Sequence, residues 1–447
     1  MKFINRKEEL KFLEDQWDKD GSSFIPIYGR RRVGKSRLIT HFLKNKNHVY
    51  HLAAQESKME QVNSFKDTLA ETIDDEFLKK TSISDWKELF EYLKKDPPDD
   101  IIIVIDEVTY IIKRDGSFPS YLQGFWDNHL KNTNTMLILC GSLVGLMKES
   151  ILNYSSPLYG RRTGQIHLKP LKPVHLNEII DDKEKIVQLY SVFGGVPKYY
   201  EEIDINKEFP EIIDSIVSPE QIFFEEGTFL LAQEFKEMGN YNSILKSISS
   251  GNTELSDIAN DIGLGSRPMS NYLDRLYELG FIDKIKPVTN TQKRYRGFNY
   301  YLNDNFLDFW FKFIFPNRSH IEERNFGYSD IEEKLNLFIS KKFEEVCKMG
   351  LSKGYSKVGK WWYKEDEIDI VALNEEKNEL LIGECKWSKN PVDKGVYYNL
   401  KEKEDKVKWK NSERMVEYII FSKSGFTDEL KEIDEDNLSL VDLDNLW

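Results

Sequence analysis

One stretch near the amino end decides the fold: Phe24-Ile25-Pro26-Ile27-Tyr28-Gly29-Arg30-Arg31-Arg32-Val33-Gly34-Lys35-Ser36. It reads as an apolar strand, then the pattern G-x-x-x-x-G-K-S, then a run over 37–44 without a helix breaker. The two glycines let the backbone curl so that successive N–H groups point inward, and the positive end of the helix dipole adds to them. The stretch therefore predicts a socket for phosphate groups between a strand and a helix.

The residues of this socket suit a nucleoside triphosphate and its magnesium ion. Lys35 can reach the β- and γ-phosphates, and the hydroxyl of Ser36 can bind Mg²⁺. A chance match in an ordinary turn is the alternative, but both flanks have the character that the motif requires. We therefore expect ATP and Mg²⁺ as ligands. The candidate binding residues are Gly29, Arg30, Arg31, Arg32, Val33, Gly34, Lys35, Ser36 and Arg37.

A second apolar run, over 101–105, ends in two carboxylates, Asp106 and Glu107. Such a β-branched run is typical of a strand buried on both faces of a parallel sheet, and ligands bind at the carboxyl edge of such sheets. At that edge Asp106 could hold Mg²⁺ through water, and Glu107 could orient or activate the attacking water. The alternative is a strand whose acids merely start a loop. Downstream of the phosphate-binding motif we prefer the site.

Two further segments carry candidate nucleotide contacts. The apolar run over 136–140 leads to Ser142, which is either a sensor of hydrolysis beside Asp106 or a helix cap. Arg161 and Arg162 lie between glycines. An arginine from the same chain or from a neighbour can stabilise the charge on the γ-phosphate during transfer, but a pair of solvated surface arginines fits the sequence equally well.

Size and composition limit the classes of protein. With 447 residues the chain exceeds one ordinary core, so two or three domains are expected. A net charge of −13 excludes a basic surface over the whole molecule, so nucleic-acid contact requires local basic patches. Three cysteines without a C-x-x-C pair fit a reducing cytosol. We find no signal peptide and no apolar stretch that could span a bilayer, and expect a cytoplasmic protein that does not contact membranes.

The order of motifs predicts four regions. Residues 1–170 form the nucleotide-binding core, and its first helix is expected to begin at Asn5 as cap, with Glu8 as reciprocal partner. A small helical lid follows over 171–240. The region 241–320 has the order of a winged helix-turn-helix followed by an aromatic, packed junction.

The wing of that third region is a local basic cluster in an acidic chain. Its cations suit phosphate contacts, yet winged helices also pack against proteins. On the second helix Arg267 and Arg275 are offset by Asp274 and Glu278, so DNA contact and protein contact both stay open. The wing cations are Lys284, Lys286, Lys293, Arg294 and Arg296.

The last region, 321–447, holds a second constellation of charged residues. Glu384 and Lys386 lie two apart on a predicted strand and so share a face, with Cys385 pointing into the core. If Asp369 lies on the adjacent strand, Asp369 and Glu384 can hold one Mg²⁺, and Glu344 from a helix could complete the shell. Lys386 would then position or activate the water that attacks a phosphodiester. Ordinary cross-strand ion pairs are the alternative.

Nearly the whole chain resembles the archaeal-type ATPases related to AAA+ proteins, in which a P-loop domain precedes a winged helix and a PD-(D/E)XK nuclease-like domain. The resemblance rests on the P-loop together with Asp106-Glu107, Cys140-Gly141-Ser142, Tyr159-Gly160-Arg161-Arg162, Gly194-Gly195-Val196-Pro197 and Glu384-Cys385-Lys386. It implies an α/β fold: a parallel P-loop NTPase sheet, a helical lid, a winged helix and an α/β restriction-endonuclease-like domain.

The resemblance also implies roles for single residues. Lys35, Ser36, Asp106 and Glu107 would be the Walker-type residues, Ser142 the sensor and Arg161 the γ-phosphate arginine. Asp369, Glu384 and Lys386 match the nuclease motif. For the helix glutamate, Glu344 and Glu345 both fit, and we prefer Glu344 because adjacent helical residues do not share a face.

Three functions follow as hypotheses. The first is a protein that couples ATP turnover to nucleic-acid binding or cleavage by an Mg²⁺-dependent C-terminal domain. The second is an ATP-dependent signalling or assembly switch whose winged helix and C-terminal domain bind protein without cutting DNA. The third is a sequence-specific repressor that uses only the winged helix. DNA and a second copy of the chain are the expected macromolecular partners, and whether Arg161 acts in cis or in trans stays open.

Overall fold

The computed structural model describes residues 3–292, 294–351 and 354–447. Lys293 of the predicted wing lies outside these ranges. The chain divides into two compact units, which are described separately. Unit 1 is Met1–Pro170 with Val196–Tyr199, and unit 2 is Leu171–Gly195 with Tyr200–Trp447. The finer division of the chain into four regions stays a prediction.

Unit 1 is built on a parallel five-stranded sheet in the order β2-β3-β4-β1-β5. Its strands are β1 (Ser23–Tyr28), β2 (His48–Leu52), β3 (Ile102–Asp106), β4 (Met136–Gly141) and β5 (Ile166–His167). The helices are α1 (Lys7–Trp17), α2 (Lys35–Phe42), α3 (Lys58–Thr72), α4 (Glu76–Lys80), α5 (Trp86–Leu93), α6 (Val108–Arg114), α7 (Phe118–Asn128) and α8 (Val144–Met147). The expected parallel α/β sheet is confirmed.

Strand β3 explains why the sheet lies inside the unit. Ile103 and Ile105 belong to one apolar cluster, and Ile102 and Val104 to another. Successive side chains of a strand point to opposite faces, so β3 is covered on both. The continuous β-branched run is what such burial requires.

The start of α1 differs from the sequence-based expectation. Arg6, not Asn5, is the residue before the helix, and no side chain caps it. Asn5 and Arg6 both have left-handed backbones, with φ of 52° and 68°. The predicted cap formed by Asn5 and Glu8 is therefore wrong. From this turn the Arg6 side chain reaches the carbonyls of Val33 and Lys169.

Unit 2 begins with a set of helices and a small hairpin. The helices of this part are α9 (Lys183–Phe193), α10 (Pro197–Glu201), α11 (Phe209–Ile216), α12 (Ile222–Glu234), α13 (Gly239–Ser250), α14 (Leu255–Ile262) and α15 (Ser266–Leu279). Helix α10 begins in unit 1 and ends in unit 2. Strands β6 (Ile282–Ile285) and β7 (Asn299–Leu302) pair antiparallel. Helices α13 to α15 followed by this hairpin have the order expected of a winged helix-turn-helix.

The rest of unit 2 is a mixed five-stranded sheet in the order β12-β11-β10-β9-β8. The strands are β8 (Lys357–Tyr363), β9 (Asp366–Asn374), β10 (Glu379–Lys386), β11 (Met415–Ser422) and β12 (Leu438–Asp442). The pairs β8–β9 and β9–β10 are antiparallel, and β10–β11 and β11–β12 are parallel. The accompanying helices are α16 (Asn305–Phe309), α17 (Arg318–Glu322), α18 (Tyr328–Gly350), α19 (Lys394–Glu404) and α20 (Asp428–Lys431).

The aromatic segment around α16 is packed, as expected. Phe306, Phe309, Trp310 and Phe313 are all at most 1% exposed. The indole N–H of Trp310 donates to the carbonyl of Phe224 at 2.9 Å. These rings are core, so they offer no stacking surface. Within the described residues, no helix combines the length and the apolar character needed to cross a membrane.

Candidate functional site

The phosphate-binding loop lies between β1 and α2, where the sequence placed it. Gly29 and Gly34 have φ of 154° and 95°. A Cβ on Gly29 would lie 2.3 Å from the carbonyl oxygen of Leu168, so glycine permits the close approach of the segment that follows β5. The buried Lys35 Nζ donates to the carbonyls of Gly29 and Arg30 at 2.9 and 3.0 Å. The ammonium group is thereby held against the loop.

Asp106 is the centre of a hydrogen-bond network at the carboxyl edge of the sheet. Its Oδ2 accepts from the Ser36 hydroxyl at 2.6 Å and from the Tyr50 hydroxyl at 2.5 Å, and its Oδ1 accepts from the Glu107 N–H at 2.8 Å. Asp106 is fully buried. Burial raises the pKa of Tyr50, with the neighbouring Asp106 charge adding to the effect, so the phenol stays protonated and donates. Ser36 and Asp106 are therefore brought together as predicted.

Glu107 has a left-handed backbone with φ of 52° and precedes α6. One of its carboxylate oxygens, Oε2, accepts from the Ser142 hydroxyl at 2.8 Å and from the Ser142 N–H at 3.3 Å. Ser142 does not cap α8, since Leu143 holds the capping position and no side chain bonds there. The helix-cap alternative for Ser142 is therefore wrong, and its role as a sensor of hydrolysis stays a prediction. A left-handed non-glycine residue is uncommon, and such conformations cluster at functional sites.

Arg161 is bound within unit 1 to an acid on α7. Its Nε and Nη2 donate to the two carboxylate oxygens of Asp127 at 3.2 and 2.9 Å, and its Nη1 donates to the carbonyl of Tyr159 at 3.0 Å. Arg162 lies over the Tyr159 ring and pairs with Gln165. The role of Arg161 at the γ-phosphate stays a prediction.

The arginines of the loop approach an aromatic residue that follows the Gly194-Gly195-Val196-Pro197 break. Arg30 Nη2 donates to the hydroxyl of Tyr199 at 3.3 Å, and the Arg32 guanidinium carbon lies 6.0 Å from the centre of that ring. Val33 is fully buried in the core. Arg31 and Arg37 are partly exposed.

Two residues that hold the site in place were not predicted from the sequence. Tyr50, which donates to Asp106, is one of them. Arg6 is the other: its buried guanidinium donates to the carbonyl of Val33 at 3.1 Å and to that of Lys169 at 2.7 Å. This residue ties the phosphate-binding loop to the segment after β5. The one sequence signal is an arginine at the start of a helix where a capping residue is expected.

The strand residues of the C-terminal constellation lie together in unit 2. Strands β9 and β10 pair with Gly383 opposite Ile370, which places Asp369 beside Glu384. Asp369 Oδ2 accepts from the Cys385 N–H at 2.9 Å, and Lys386 Nζ donates to Glu384 Oε1 at 2.7 Å. Cys385 is buried, as expected.

The helix glutamate has a different partner. Glu344 pairs with Lys360 of β8 at 2.5 Å. Burial raises the pKa of Asp369 to about 7, and the charges of Glu344 and Glu384 add to the effect, so the three acids are electrostatic neighbours. Within the described part of the chain, however, no three or more His, Cys, Asp or Glu side chains are placed to hold one metal ion. The ligand set of Glu344, Asp369 and Glu384 stays a prediction.

Two lysines of the wing have partners within unit 2. Lys284 pairs with Asp274 at 3.2 Å and lies 4.7 Å from the Phe298 ring centre. Lys286 Nζ donates to the carbonyl of Gln292 at 3.2 Å. Within the same hairpin, the Val288 N–H donates to the carbonyl of Lys360 at 3.0 Å. The wing therefore packs against β8, while Arg294 and Arg296 are exposed.

Comparison with known proteins gives two family matches along the chain. A family described as an ATPase domain predominantly from Archaea matches residues 3–203. A second family, described as archaeal and bacterial proteins of unknown function, matches residues 310–417. The first match covers the P-loop unit and the start of unit 2, and the second lies in the later part of unit 2.

The chain is also similar to individual relatives and to a solved structure. An uncharacterized protein of Methanocaldococcus jannaschii is 37% identical over 415 residues, which is 90% of this chain and 91% of the relative. An uncharacterized ATP-binding protein of the same organism is 59% identical over 44 residues, covering 10% of this chain and 75% of the relative. The solved structure of a Walker-type ATPase of Pyrococcus abyssi is 19% identical, with a TM-score of 0.49, and the match covers 69% of this chain and 96% of that one.

Proposed function

The chain belongs to the archaeal-type P-loop ATPases that carry a C-terminal domain of unknown function, and from this premise we propose that unit 1 binds and hydrolyses Mg²⁺-ATP. One observation carries the proposal: at the carboxyl edge of the parallel sheet the Ser36 hydroxyl bonds to Asp106, while the preceding residue, Lys35, is held against the glycine loop. Parallel α/β sheets bind ligands at that edge.

The residues at this edge fit the two expected ligands. The Lys35 ammonium and the loop N–H groups supply positive charge for the phosphates. The Ser36 hydroxyl and the Asp106 carboxylate, 2.6 Å apart, are oxygen donors of the kind that Mg²⁺ prefers. When bound, Mg²⁺ neutralises charge on the phosphate oxygens. Tyr50 holds the Asp106 carboxylate in place.

Glu107 is the group that we assign to the attacking water. Its hydrogen bonds from Ser142 hold one carboxylate oxygen, so the side chain is oriented at the sheet edge. Glu107 would accept a proton from the water or orient it, and Ser142 would position Glu107. Arg161 would stabilise charge on the γ-phosphate once its ion pair with Asp127 is broken and it binds the nucleotide instead.

ATPase assays on purified protein test these assignments. Lys35→Ala should abolish nucleotide binding or turnover. Glu107→Gln should bind ATP and fail to hydrolyse it, whereas Glu91→Gln, an exposed glutamate on α5, should behave as wild type. Normal turnover by Glu107→Gln would remove Glu107 from its role. A specific rate that rises with protein concentration would favour an arginine supplied by a second copy of the chain.

A second function is supported by a separate observation in unit 2. Asp369 and Glu384 lie side by side on adjacent strands, and Lys386 contacts Glu384. Two neighbouring carboxylates beside a lysine could hold Mg²⁺ and position a water for attack on a phosphodiester. We propose that ATP turnover is coupled to nucleic-acid binding or cleavage by this domain.

A nuclease assay with and without ATP tests the second function. Wild type should cleave DNA in Mg²⁺, whereas Asp369→Asn and Lys386→Ala should not. The matched control is Glu376→Gln, which removes one carboxylate charge from an exposed position. If no nucleotide state yields cleavage, the cleavage function is wrong, and a switch that binds protein through unit 2 replaces it.

A further inference from the structure

One segment of unit 2 is basic although the chain is acidic. Residues 386–414 contain nine Lys and Arg residues against five Asp and Glu residues, a net charge of +4, whereas the whole chain has −13. The segment runs from the end of β10 through α19 to the start of β11. In an acidic protein, such a concentration of positive charge is the electrostatic footprint expected of a phosphate-binding surface.

The outer lysines of this segment have partners that phosphate groups can replace. Lys394 and Lys406 pair with Glu429 and Asp366 at 3.8 and 2.7 Å. Solvent-exposed pairs of this kind contribute only about 0–1 kcal/mol, so exchanging them costs little. We define the α19 surface by six of its exposed residues, Lys389, Lys394, Tyr398, Lys406, Lys408 and Lys410, among which the acids Asp393, Glu402 and Asp405 are also exposed.

Lys401 has a different role. It pairs with Glu435 at 2.9 Å and lies 5.1 Å from the ring centre of the buried Tyr397. This lysine holds α19 to the sheet, so it is not part of the surface.

Aromatic side chains accompany the lysines. Tyr398 is 50% exposed on α19, and the Lys410 ammonium lies 5.3 Å from the ring centre of Trp409. Rings beside cations are where unpaired bases stack in proteins that bind single strands. Charge and rings together favour nucleic acid over other polyanions.

A cavity of about 200 Å³ lies beside the α19 surface and reaches Glu384, although Asp369 does not line it. It is lined by Glu384, Lys386, Asn399, Lys403 and Lys406, among others. Lys403 Nζ lies 3.8 Å from Glu384 Oε2 and donates to the carbonyl of Glu367 at 2.8 Å. A phosphodiester in this cavity would therefore face Glu384 and Lys386, flanked by two further lysines.

We propose that the α19 surface binds the sugar–phosphate backbone of a nucleic acid and brings one phosphodiester into the cavity beside Glu384. The inference deepens the proposed cleavage function and rests on it for its purpose, although binding can be measured apart from cleavage. The wing is the lesser contact, because the Lys284 side chain, paired with Asp274 of α15, is only 25% exposed, against 53% for Lys394 and 46% for Lys406.

Fluorescence anisotropy of labelled oligonucleotides, single-stranded and duplex, tests the surface in the full chain with EDTA present to prevent cleavage. The test variant replaces Lys406, Lys408 and Lys410 by Gln. The control makes the same change at Lys79, Lys80 and Lys87, exposed lysines of unit 1. The test variant should bind about tenfold more weakly, and the slope of log affinity against log salt should fall by about two to three. The control should bind as wild type, and preference for the single strand would support stacking on Tyr398.

Equal binding by the test and control variants overturns the inference. Loss of binding in the double variant Arg294→Gln/Arg296→Gln, with binding kept by the lysine variant, would also overturn it. A wild type that binds no nucleic acid would overturn it as well, and an acidic protein would then be the remaining partner for these lysines. If the triple variant melts early, Lys408→Glu alone serves, because that side chain is exposed and donates to a nearby backbone carbonyl, that of Asp405, at 3.0 Å. Lysine-dependent binding without cleavage in Mg²⁺ would overturn the cleavage function alone, and cleavage unaffected by the lysine changes would overturn the surface alone.

Discussion

The hydroxyl of Tyr50 on β2 donates a 2.5 Å hydrogen bond to the carboxylate of Asp106 on β3. The same oxygen accepts from Ser36 at 2.6 Å, so one atom links the strand, its neighbour and the first turn of α2. This relationship fixes the carboxylate that we assign to Mg²⁺.

Tyr50→Phe should weaken the apparent affinity for Mg²⁺ in the ATPase assay by about tenfold. The reason is that a hydrogen bond to a charged group contributes about 1.5–3 kcal/mol, and without it the carboxylate loses its fixed orientation. Titration of Mg²⁺ at saturating ATP measures the effect. Tyr154→Phe, at a residue that is 81% exposed, is the control, and identical Mg²⁺ curves for the two variants would contradict the role of Tyr50.

Gly29→Ala should destabilise unit 1 by about 1–3 kcal/mol, the usual cost of overpacking a close contact. The added Cβ would lie 2.3 Å from the Leu168 carbonyl oxygen, which is backbone and cannot move aside cheaply. Thermal denaturation measures the loss. Gly116→Ala meets nothing within 4 Å and should melt as wild type. A Gly29→Ala protein as stable as that control would mean that the approach of Leu168 is looser than described.

Arg6→Ala should lower both stability and ATP affinity. It leaves the carbonyls of Val33 and Lys169 without their donor, and an unsatisfied buried polar group costs about 1–3 kcal/mol. Because Val33 belongs to the phosphate-binding loop, the loop should lose its fixed shape. Nucleotide titration and thermal melting measure the two effects. Lys7→Ala, at the exposed next residue, is the control. Wild-type ATP affinity in Arg6→Ala would separate this arginine from the site.

Stability of unit 1 should fall as the pH drops from about 6.5 to about 4, in part because of His51. Burial lowers the pKa of His51 from its ordinary value of 6.5 to about 4. Below pH 6.5 His51 therefore binds a proton in the unfolded chain, whereas in the folded chain it stays neutral down to about pH 4. This difference lowers the free energy of unfolding by about 3 kcal/mol at pH 4.

Urea unfolding of wild type and of His51→Leu across this pH range measures the contribution. The variant should show a shallower decline, since the other titrating groups are shared. His48→Gln, at an exposed histidine, should decline like wild type. Parallel curves for wild type and His51→Leu would show that folding does not lower the pKa of His51.

Sequence predicted the parts of the fold and site that local patterns encode. The G-x-x-x-x-G-K-S motif and the Asp106 strand were placed correctly because the spacing of the motif and the continuous apolar run are local features. Alternation along one strand predicted that Glu384 and Lys386 share a face, whereas the place of Asp369 on the adjacent strand was only a condition and is given by the strand pairing. Local patterns do not predict contacts between residues that are far apart in the sequence. Arg6 reaches Lys169 across 163 positions, and Tyr50 reaches Asp106 across 56.

The same limit explains the wrong cap at Asn5. Capping rules consider only residues within one helical turn, whereas at the start of α1 the Arg6 side chain bonds to carbonyls that are distant in the sequence. The wing is a comparable case. Its basic cluster was visible in the sequence, but the pairing of Lys284 with Asp274 and the bond from Val288 to β8 depend on packing.

Calorimetric titration with Mg²⁺-ATP tests the central claim most directly, because every role assigned to unit 1 requires a triphosphate in the loop of Lys35. Wild type should release or absorb heat with a saturable isotherm and melt at a higher temperature with nucleotide present. Lys35→Ala should show neither effect. A wild type that gives no binding heat and no shift in melting temperature would contradict the account.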